Sequence, residues 1–258
     1  MSLKIATWNV NSLKVRLPHV LEWLATHQPD VFALQEIKLQ DPDFPIEDIK
    51  TAGYQAYYSG QKTYNGMAIL SRLPGGDVLT DIPGMSDPQR RILAVTIEDV
   101  RILNLYVPNG ESVTSDKYPY KLNWLQSMRD FLKQELEKYP KLVVLGDFNI
   151  APEAEDVHDP AVWEGRVLFS EPERAALREM LALGLKDCFR LHPQPEKSFT
   201  WWDYRMNGFK RNLGLRIDHI LASQALSAAC TRCYIDKTLR ALERPSDHAV
   251  VVAEFGIE

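Results

Sequence analysis

Ser246-Asp247-His248 precede the last apolar run of the chain, Ala249 to Ala253, and three distant polar groups stand beside apolar runs of their own. Asn9 follows the first run, Glu36 the second, and Asp147-Phe148-Asn149 one in mid-chain. Side chains at strand ends converge at one edge of a sheet, where loops on a rigid scaffold carry binding and catalytic groups. Carboxylates, amides and an imidazole gathered there have the chemistry of a metal-assisted hydrolase of phosphate esters.

A phosphodiester is anionic and repels hydroxide. Its hydrolysis needs the phosphate neutralised, a water activated in line with the leaving oxygen, and the departing alkoxide stabilised. Mg²⁺ suits the first and last tasks with one or two protein carboxylates. Glu36 beside Asn9 fits that need, the other reading of Glu36 being a surface carboxylate after a buried strand. Asp147 and Asn149, two apart on an extended segment, would leave the same face. Asp147 would then take the proton of the water while Asn149 orients the attack or the phosphate; the competing reading is an Asp147 that caps a backbone N–H in a Gly-Asp turn.

His248 would neutralise a phosphate oxygen if held as imidazolium. Asp218 is an acid inside the apolar run Arg216 to Leu221 and needs a partner; His248 would serve, and so would Arg216 or His219. Tyr106, ahead of the turn-forming Val107-Pro108-Asn109-Gly110-Glu111, offers a hydroxyl to the phosphate or a ring to the core. Trp201-Trp202, close to Tyr204 and Arg205, would stack on a base or sugar and hold a backbone phosphate. Strand alternation sends one of the two Trp rings into the core.

The elements that must position these groups follow from periodicity. Apolar runs at Leu3 to Val10, Val31 to Leu34, Met67 to Leu70, Ile92 to Ile97, Arg101 to Val107, Leu142 to Leu145, Arg216 to Leu221 and Val250 to Phe255 predict strands. Leu17, Val20, Leu21 and Leu24 predict a helix between the first two. Leu125, Met128, Leu132 and Leu136 predict a second, and the capping-box spacing of Ser170 and Glu173 opens a third that ends at Gly184. Several strands follow one another between Tyr54 and Val107 without a helix, which a purely alternating parallel fold excludes. The expectation is an α/β sandwich of four layers, two mixed sheets face to face with helices outside.

The 258 residues are 45% hydrophobic and 25% charged with no break in composition, which predicts one domain over 1–258. No apolar stretch approaches a membrane span and no basic leader precedes the first strand, so a cytoplasmic location is expected. Cys188, Cys230 and Cys233 form an odd set without a disulfide framework, and the Cys230, Cys233 pair lacks further zinc ligands. The net charge of -5 excludes a uniform coat on nucleic acid but not an acidic metal site with local basic groups such as Arg90, Arg91 and Lys210.

Taken together, TWNVNSLKVR (7 to 16), LQEIK (34 to 38), GQKTYNGMAILS (60 to 71), NLYVPNGE (104 to 111), GDFNIAP (146 to 152), WWDYR (201 to 205), NLGLRIDHILAS (212 to 223) and ERPSDHAVV (243 to 251) resemble the exonuclease III family of DNA-repair nucleases, over essentially the whole chain. That family lies in the endonuclease/exonuclease/phosphatase superfamily with DNase I. GDFN and SDH are shared widely across it; YVPNGE, GQKTYNG and GLRID mark the DNA-repair branch.

The resemblance implies Mg²⁺ or Mn²⁺ at Glu36 and Asn9, with Asp247 as a further ligand, and Asp147 and Asn149 at the attacking water. It implies Tyr106, Asn109, His248 and Asp218 at the phosphate, Tyr64 in the minor groove, Arg90 and Arg205 among the duplex contacts, and Trp201 with Leu215 around an extruded abasic sugar. Asn11 stands where some members have Asp. The implied activities of this expected monomer are 3'-to-5' exonuclease action on double-stranded DNA, cleaning of 3' ends, and incision 5' to abasic sites. Trp163, Glu164 and Arg166 in the loop from Asn149 to Ser170 are expected to apportion them. Rival expectations are a phosphodiesterase of inositol phosphates or lipid head groups, and a binding module that has lost catalysis.

Overall fold

The computed structural model describes residues 2–256. One sheet is built from β1 (Ser2–Asn9), β2 (Val31–Gln35), β3 (Gln55–Ser59), β4 (Met67–Ser71), β13 (Cys230–Asp236) and β14 (Val250–Gly256), in the order β13-β14-β1-β2-β4-β3. The other contains β5 (Gly75–Leu79), β6 (Ile92–Ile97), β7 (Val100–Tyr106), β8 (Leu142–Asp147), β9 (Lys186–Asp187) and β12 (Asp218–Ala222), in the order β5-β6-β7-β8-β12-β9. A short ribbon of β10 (Trp201–Trp202) and β11 (Gly214–Leu215) stands apart. β1 and β2 are parallel, as are β7 and β8, and the other pairs are antiparallel.

The sheets pack face to face because alternate residues of their strands are apolar on the inner side. Ile5, Ala33 and Ile69 of one sheet meet Val95, Ile102, Val143 and Ile220 of the other. The outer faces are covered by helices. α1 (Leu13–His27) lays Val20, Trp23 and Leu24 over Trp8 and Phe32, and the short α2 (Ile46–Thr51) adds Ile49. α3 (Lys117–Lys138) and α5 (Glu171–Leu181) bring Leu125, Met128, Leu132, Leu177 and Met180 onto Leu103, Val144 and Phe148. α4 (Pro160–Trp163) and α6 (Gln224–Ser227) are single turns. The four-layer sandwich expected from periodicity is the fold observed, and the capping box of Ser170 and Glu173 opens α5.

One strand, expected over Arg216 to Leu221, starts two residues late. Arg216 and Ile217 lie between β11 and β12, because the Arg216 guanidinium is buried against Asp156 at 2.7 Å and Asp187 at 2.8 Å, leaving the strand's apolar alternation without its first member. Asp218 therefore begins β12, at the sheet edge and not mid-strand.

The sheets are also tied by a polar clasp that the pattern of apolar residues does not announce. Gln35 of β2 donates from Nε2 to Thr7 and to Asn104 of β7, each at 2.8 Å, and Asn104 returns Nδ2 to the Leu34 and Ala68 carbonyls at 2.9 and 3.0 Å. All three side chains are buried, so loss of one strands its partners at the full desolvation cost. Asn104→Ala is expected to lower stability in urea denaturation by about 2–4 kcal/mol, two or more unsatisfied polar groups at roughly 1–3 kcal/mol each; a change under about 0.5 kcal/mol would show that the clasp is dispensable.

Candidate active site

Asp147 ends β8 and Asp218 opens β12, and their antiparallel register sets the two carboxylates opposite one another. Among the described residues, no cation of the second sheet pairs with them. The cation comes from the first sheet, where His248 stands just ahead of β14: its Nδ1 lies 2.9 and 3.1 Å from the Asp218 oxygens and its Nε2 3.6 Å from Asp147 Oδ2. Burial by itself would lower the His248 pKa, but the charges of Asp218 and Asp147 and the Asp218 hydrogen bond outweigh it and carry the value up to about 10. The ring is an imidazolium at neutral pH. Asp147 moves the other way from an ordinary carboxyl: burial disfavours its anion and neighbouring Asp218 and Glu36 add to the effect, so that against the lowering pull of His248 and Asn9 it reaches about 7.

Several hydrogen bonds fix these groups. Trp8 donates from Nε1 to the His248 carbonyl at 3.0 Å, and Ser246 donates to the Asn9 carbonyl at 2.6 Å, locking the SDH segment to β1. The hydroxyl of Thr200 accepts from the Ile217 and Asp218 amides at 3.0 and 3.1 Å. Asn9 Nδ2 donates to Glu36 Oε1 at 2.8 Å and to Asp147 Oδ2 at 2.9 Å, linking both sheets at one atom. Glu36 itself turns at a φ of 53°, outside the range comfortable for an L residue, which lifts its side chain off the end of β2. Its second oxygen meets Lys38 Nζ at 3.0 Å. Tyr106 stands at the end of β7; burial, then the charges of Glu36 and Asp147, raise its pKa well above the usual phenol value. It is a neutral phenol here.

Gly146 allows β8 to lie close against β7 of its own sheet just before Asp147. Its φ is 134°, and a Cβ there would sit 2.0 Å from the Leu105 carbonyl oxygen. Past Asp147 the backbone leaves the extended form: Phe148 turns into the outer core and Asn149 adopts a φ of 49°. Asn149 is thus not placed on the Asp147 face by alternation. Its Nδ2 donates to the Val107 carbonyl at 3.0 Å, its Oδ1 accepts from Asn109 Nδ2 at 3.2 Å, and its amide caps Asp147 Oδ1 at 2.9 Å. Asn149 holds the loop that carries Asn109, and the Gly-Asp-turn reading of Asp147 is met at the same time.

Other expected residues fall into two groups. Tyr64, which is 66% exposed, lines a cavity of about 650 Å³ together with Tyr106, Asn109, Asn65 and Arg91. Arg90 turns away: its Nη1 is gripped by both oxygens of Asp81 at 3.0 Å, and the guanidinium in the cavity belongs to Arg91, which lies 4.8 Å over the Tyr106 ring. Asp247 is set apart from Glu36, accepting from Asn11 Nδ2 and Trp201 Nε1 at 3.0 Å each. Asn11 also accepts from Lys38 at 2.6 Å, which makes it the link between the two carboxylates. Trp201 bridges to His248 in backbone register and is half-buried, while Trp202 is fully buried as alternation requires. Leu215 is fully buried with Phe169 and Ile217 and backs Trp201 without reaching solvent itself. Arg205 is exposed and paired with Asp203 at 2.7 Å.

Sequence reasoning missed Lys121. Its fully buried ammonium donates to the Asn149 carbonyl at 2.7 Å and the Asn109 carbonyl at 3.1 Å and pairs with Glu173, clamping both site loops to α3 and α5. Burial pulls its pKa down against the opposing fields of Glu173 and Asp147. A lysine in phase with the apolar stripe of Leu125, Met128 and Leu132 was the available signal.

The donor set suits a hard divalent cation. Among the described residues, Lys38 and His248 are the cations paired with Glu36, Asp147 and Asp218, and burial together with the neighbouring carboxylates raises the Asp147 value. One ligand atom from each of Asp147, Asp218 and His248 lies within 4.8 Å of the others. A ring that carries a proton on each nitrogen cannot ligate, however, which favours the partly exposed Glu36 with Asn9 as the place for an ion.

A family model described as the endonuclease/exonuclease/phosphatase family matches residues 6–248. The chain is 37% identical to an exodeoxyribonuclease III of Haemophilus influenzae over 98% of this chain and 100% of that one. A 3' phosphatase from Neisseria, solved with a product DNA hairpin, is 47% identical with a TM-score of 0.97, covering 99% of this chain and 100% of that one. An AP endonuclease from Archaeoglobus fulgidus is 38% identical with a TM-score of 0.95, over 99% of this chain and 100% of that one.

The clamp on the site loops is testable. Glu173→Gln leaves the Lys121 charge buried without its counter-ion and should cost about 3–5 kcal/mol in denaturant unfolding, whereas removing both charges in a Lys121→Met, Glu173→Leu double variant should restore part of it, the Leu168 and Ser170 amides and the Asn109 and Asn149 carbonyls having lost those partners. A single variant as stable as the parent would show that the pair holds nothing.

Proposed function

The chain belongs to the endonuclease/exonuclease/phosphatase family, and from that premise we propose that it is a divalent-metal-dependent DNA-repair phosphodiesterase, a nuclease of the exodeoxyribonuclease III kind. The observation that carries this reading is the meeting of Asn9, Glu36, Asp147, Asp218 and His248 from both sheets at one edge. Its natural substrate is double-stranded DNA with a 3' end or an abasic site. No helix among the described residues is long and apolar enough to cross a membrane.

A bound cation at Glu36 and Asn9, Mg²⁺ by preference for oxygen donors, would neutralise the phosphate and the leaving oxygen. The residues do the rest. His248, fixed as imidazolium by Asp218, donates from Nε2 to a non-bridging phosphate oxygen and stabilises the charge that grows there. Tyr106, a neutral phenol, donates a hydrogen bond to the same group, with Asn109 beside it on the loop that Asn149 and Lys121 hold. Asp147 accepts the proton of the attacking water, for which a pKa near 7 is well matched. Tyr64 and Arg91, lining the cavity beyond Tyr106, receive the duplex, and Trp201 backed by Leu215 takes a sugar turned out of the helix.

Purified protein with Mg²⁺, given a labelled duplex carrying one abasic analogue and an undamaged recessed 3' end, should cut both. Cleavage of inositol phosphate or lipid head groups with DNA left intact would overturn the assignment. Asp147→Asn should lose about 10²–10⁴ in turnover at any metal concentration, the usual worth of a general base. Glu36→Ala should instead regain activity as Mg²⁺ is raised. Because Asp147 acts as its anion, kcat/KM at low metal should climb as pH rises through about 7, and more metal should move that limb to lower pH by favouring the carboxylate. A profile flat from pH 5 to 9 would remove Asp147 from the base role.

A further inference from the structure

Arg240 is a cation the fold has not neutralised. It is only 7% exposed, and its guanidinium is clasped between the rings of Tyr204 and Phe209, 5.3 and 4.9 Å from their centres. Among the described residues, Nη2 has one weak acceptor, the Trp202 carbonyl at 3.3 Å, and the buried Nε has no partner. Neither Nη1 nor any other nitrogen of Arg240 forms an ion pair with a carboxylate among the described residues. Asp247 is the acid whose field reaches it, and that carboxylate is taken by Asn11 and Trp201. Burial accordingly pulls the guanidinium's pKa down.

Desolvating a guanidinium against one carbonyl is costly, a penalty normally offset by a carboxylate. Here the offset has to come from outside. Arg240 lines a cavity of about 410 Å³ with Tyr204, Phe209, Lys210, Leu242 and Pro245. Lys210 is exposed and makes no ion pair among the described residues, and Asp203, the one acid on the wall, is held by Arg205. The cavity adjoins the active site: Pro245 lies three residues before His248, and Tyr204 donates to the Pro245 carbonyl at 2.8 Å while taking Arg16 at 3.3 Å. It has no part in the chemistry described above.

We infer that this pocket binds an anion, a phosphate of the DNA backbone other than the one being cleaved, held by Arg240 from between its two rings and by Lys210 from the rim. The inference rests on the nuclease reading and extends it. The aromatic clasp pre-orients the planar guanidinium, so little rotamer entropy is lost on binding, and charge-assisted hydrogen bonds to phosphate are the strong kind. Such a contact fixes the register of the duplex on the enzyme and reads no sequence.

The test uses the full-length protein in EDTA, so that duplex binding is followed by fluorescence anisotropy without cleavage, across a range of KCl. Lys210→Gln should lower the slope of log affinity against log salt by about 0.9, the value for one phosphate contact, and weaken binding several-fold, with turnover at saturating substrate unchanged. Arg240→Lys should act in the same direction; should it fail to give the parent's circular dichroism, Lys210→Gln at the surface decides alone. Parent slopes in folded variants would overturn the inference. So would a thermal shift by inorganic phosphate that Lys210→Gln abolishes without any change in the DNA slope, since the pocket would then serve a free anion. A parent protein that binds no duplex at any salt would sink the nuclease reading instead.

Discussion

Two carboxylates paired across neighbouring strands in a dry sheet edge repel, and the imidazolium of His248 is what allows Asp147 and Asp218 to share that place. The ring belongs to the other sheet. Its attraction to the pair therefore acts between the two layers at the rim where they must meet, and the remaining polar groups are arranged around it. Trp8 and Ser246 hold the His248 segment on β1, Thr200 supports the backbone of Asp218, and Asn9 bridges to Glu36. With one charge neutralised by His248 and one by Lys38, the surplus negative charge falls where Asn9, Glu36 and Asp147 come together. That surplus gives a cation's binding place, and burial together with it leaves the Asp147 carboxyl poised near neutrality.

Behind the rim, the protein spends buried polar interactions on registration between layers. Gln35 with Asn104 fixes β2 against β7, and Lys121 with Glu173 fixes the loops after β7 and β8 against the outer helices. Apolar packing between the sheets is broad and nondirectional, and by itself would tolerate small sliding. Hydrogen bonds between buried side chains do not, because a shift of an ångström leaves partners unsatisfied. Catalytic distances of about 3 Å need the second kind of constraint.

Much of this was legible in the sequence because both signals are local. The apolar runs gave the strands, the Ser170 to Glu173 spacing gave a helix start, and polar residues at run ends gave Asn9, Glu36, Asp147 and His248 as neighbours. The partner of Asp218 was open among His248, Arg216 and His219; Arg216 is drawn to Asp156 and Asp187, and His219 to the Ile150 carbonyl, which leaves His248. What failed was any rule carried past the end of an element. Asn149 was placed by strand alternation, but the backbone turns left-handed there. Arg90 and Arg91 are chemically alike, and their distant partners, Asp81 for the one and the Tyr106 carbonyl for the other, separate them. Lys121 and Asn104 pair with groups about 50 and 36 to 70 residues away, distances over which sequence pattern is silent.

The protonation state of one ring tests the account most directly. A ¹⁵N and ¹H NMR titration of His248 in the metal-free protein should show an imidazolium that persists through neutrality and loses its proton only near pH 10, and Asp218→Asn should bring that titration down by several pH units. A His248 that titrates near 6.5 in the parent protein would mean that the two carboxylates do not hold it charged, and the arrangement built around that charge would be contradicted.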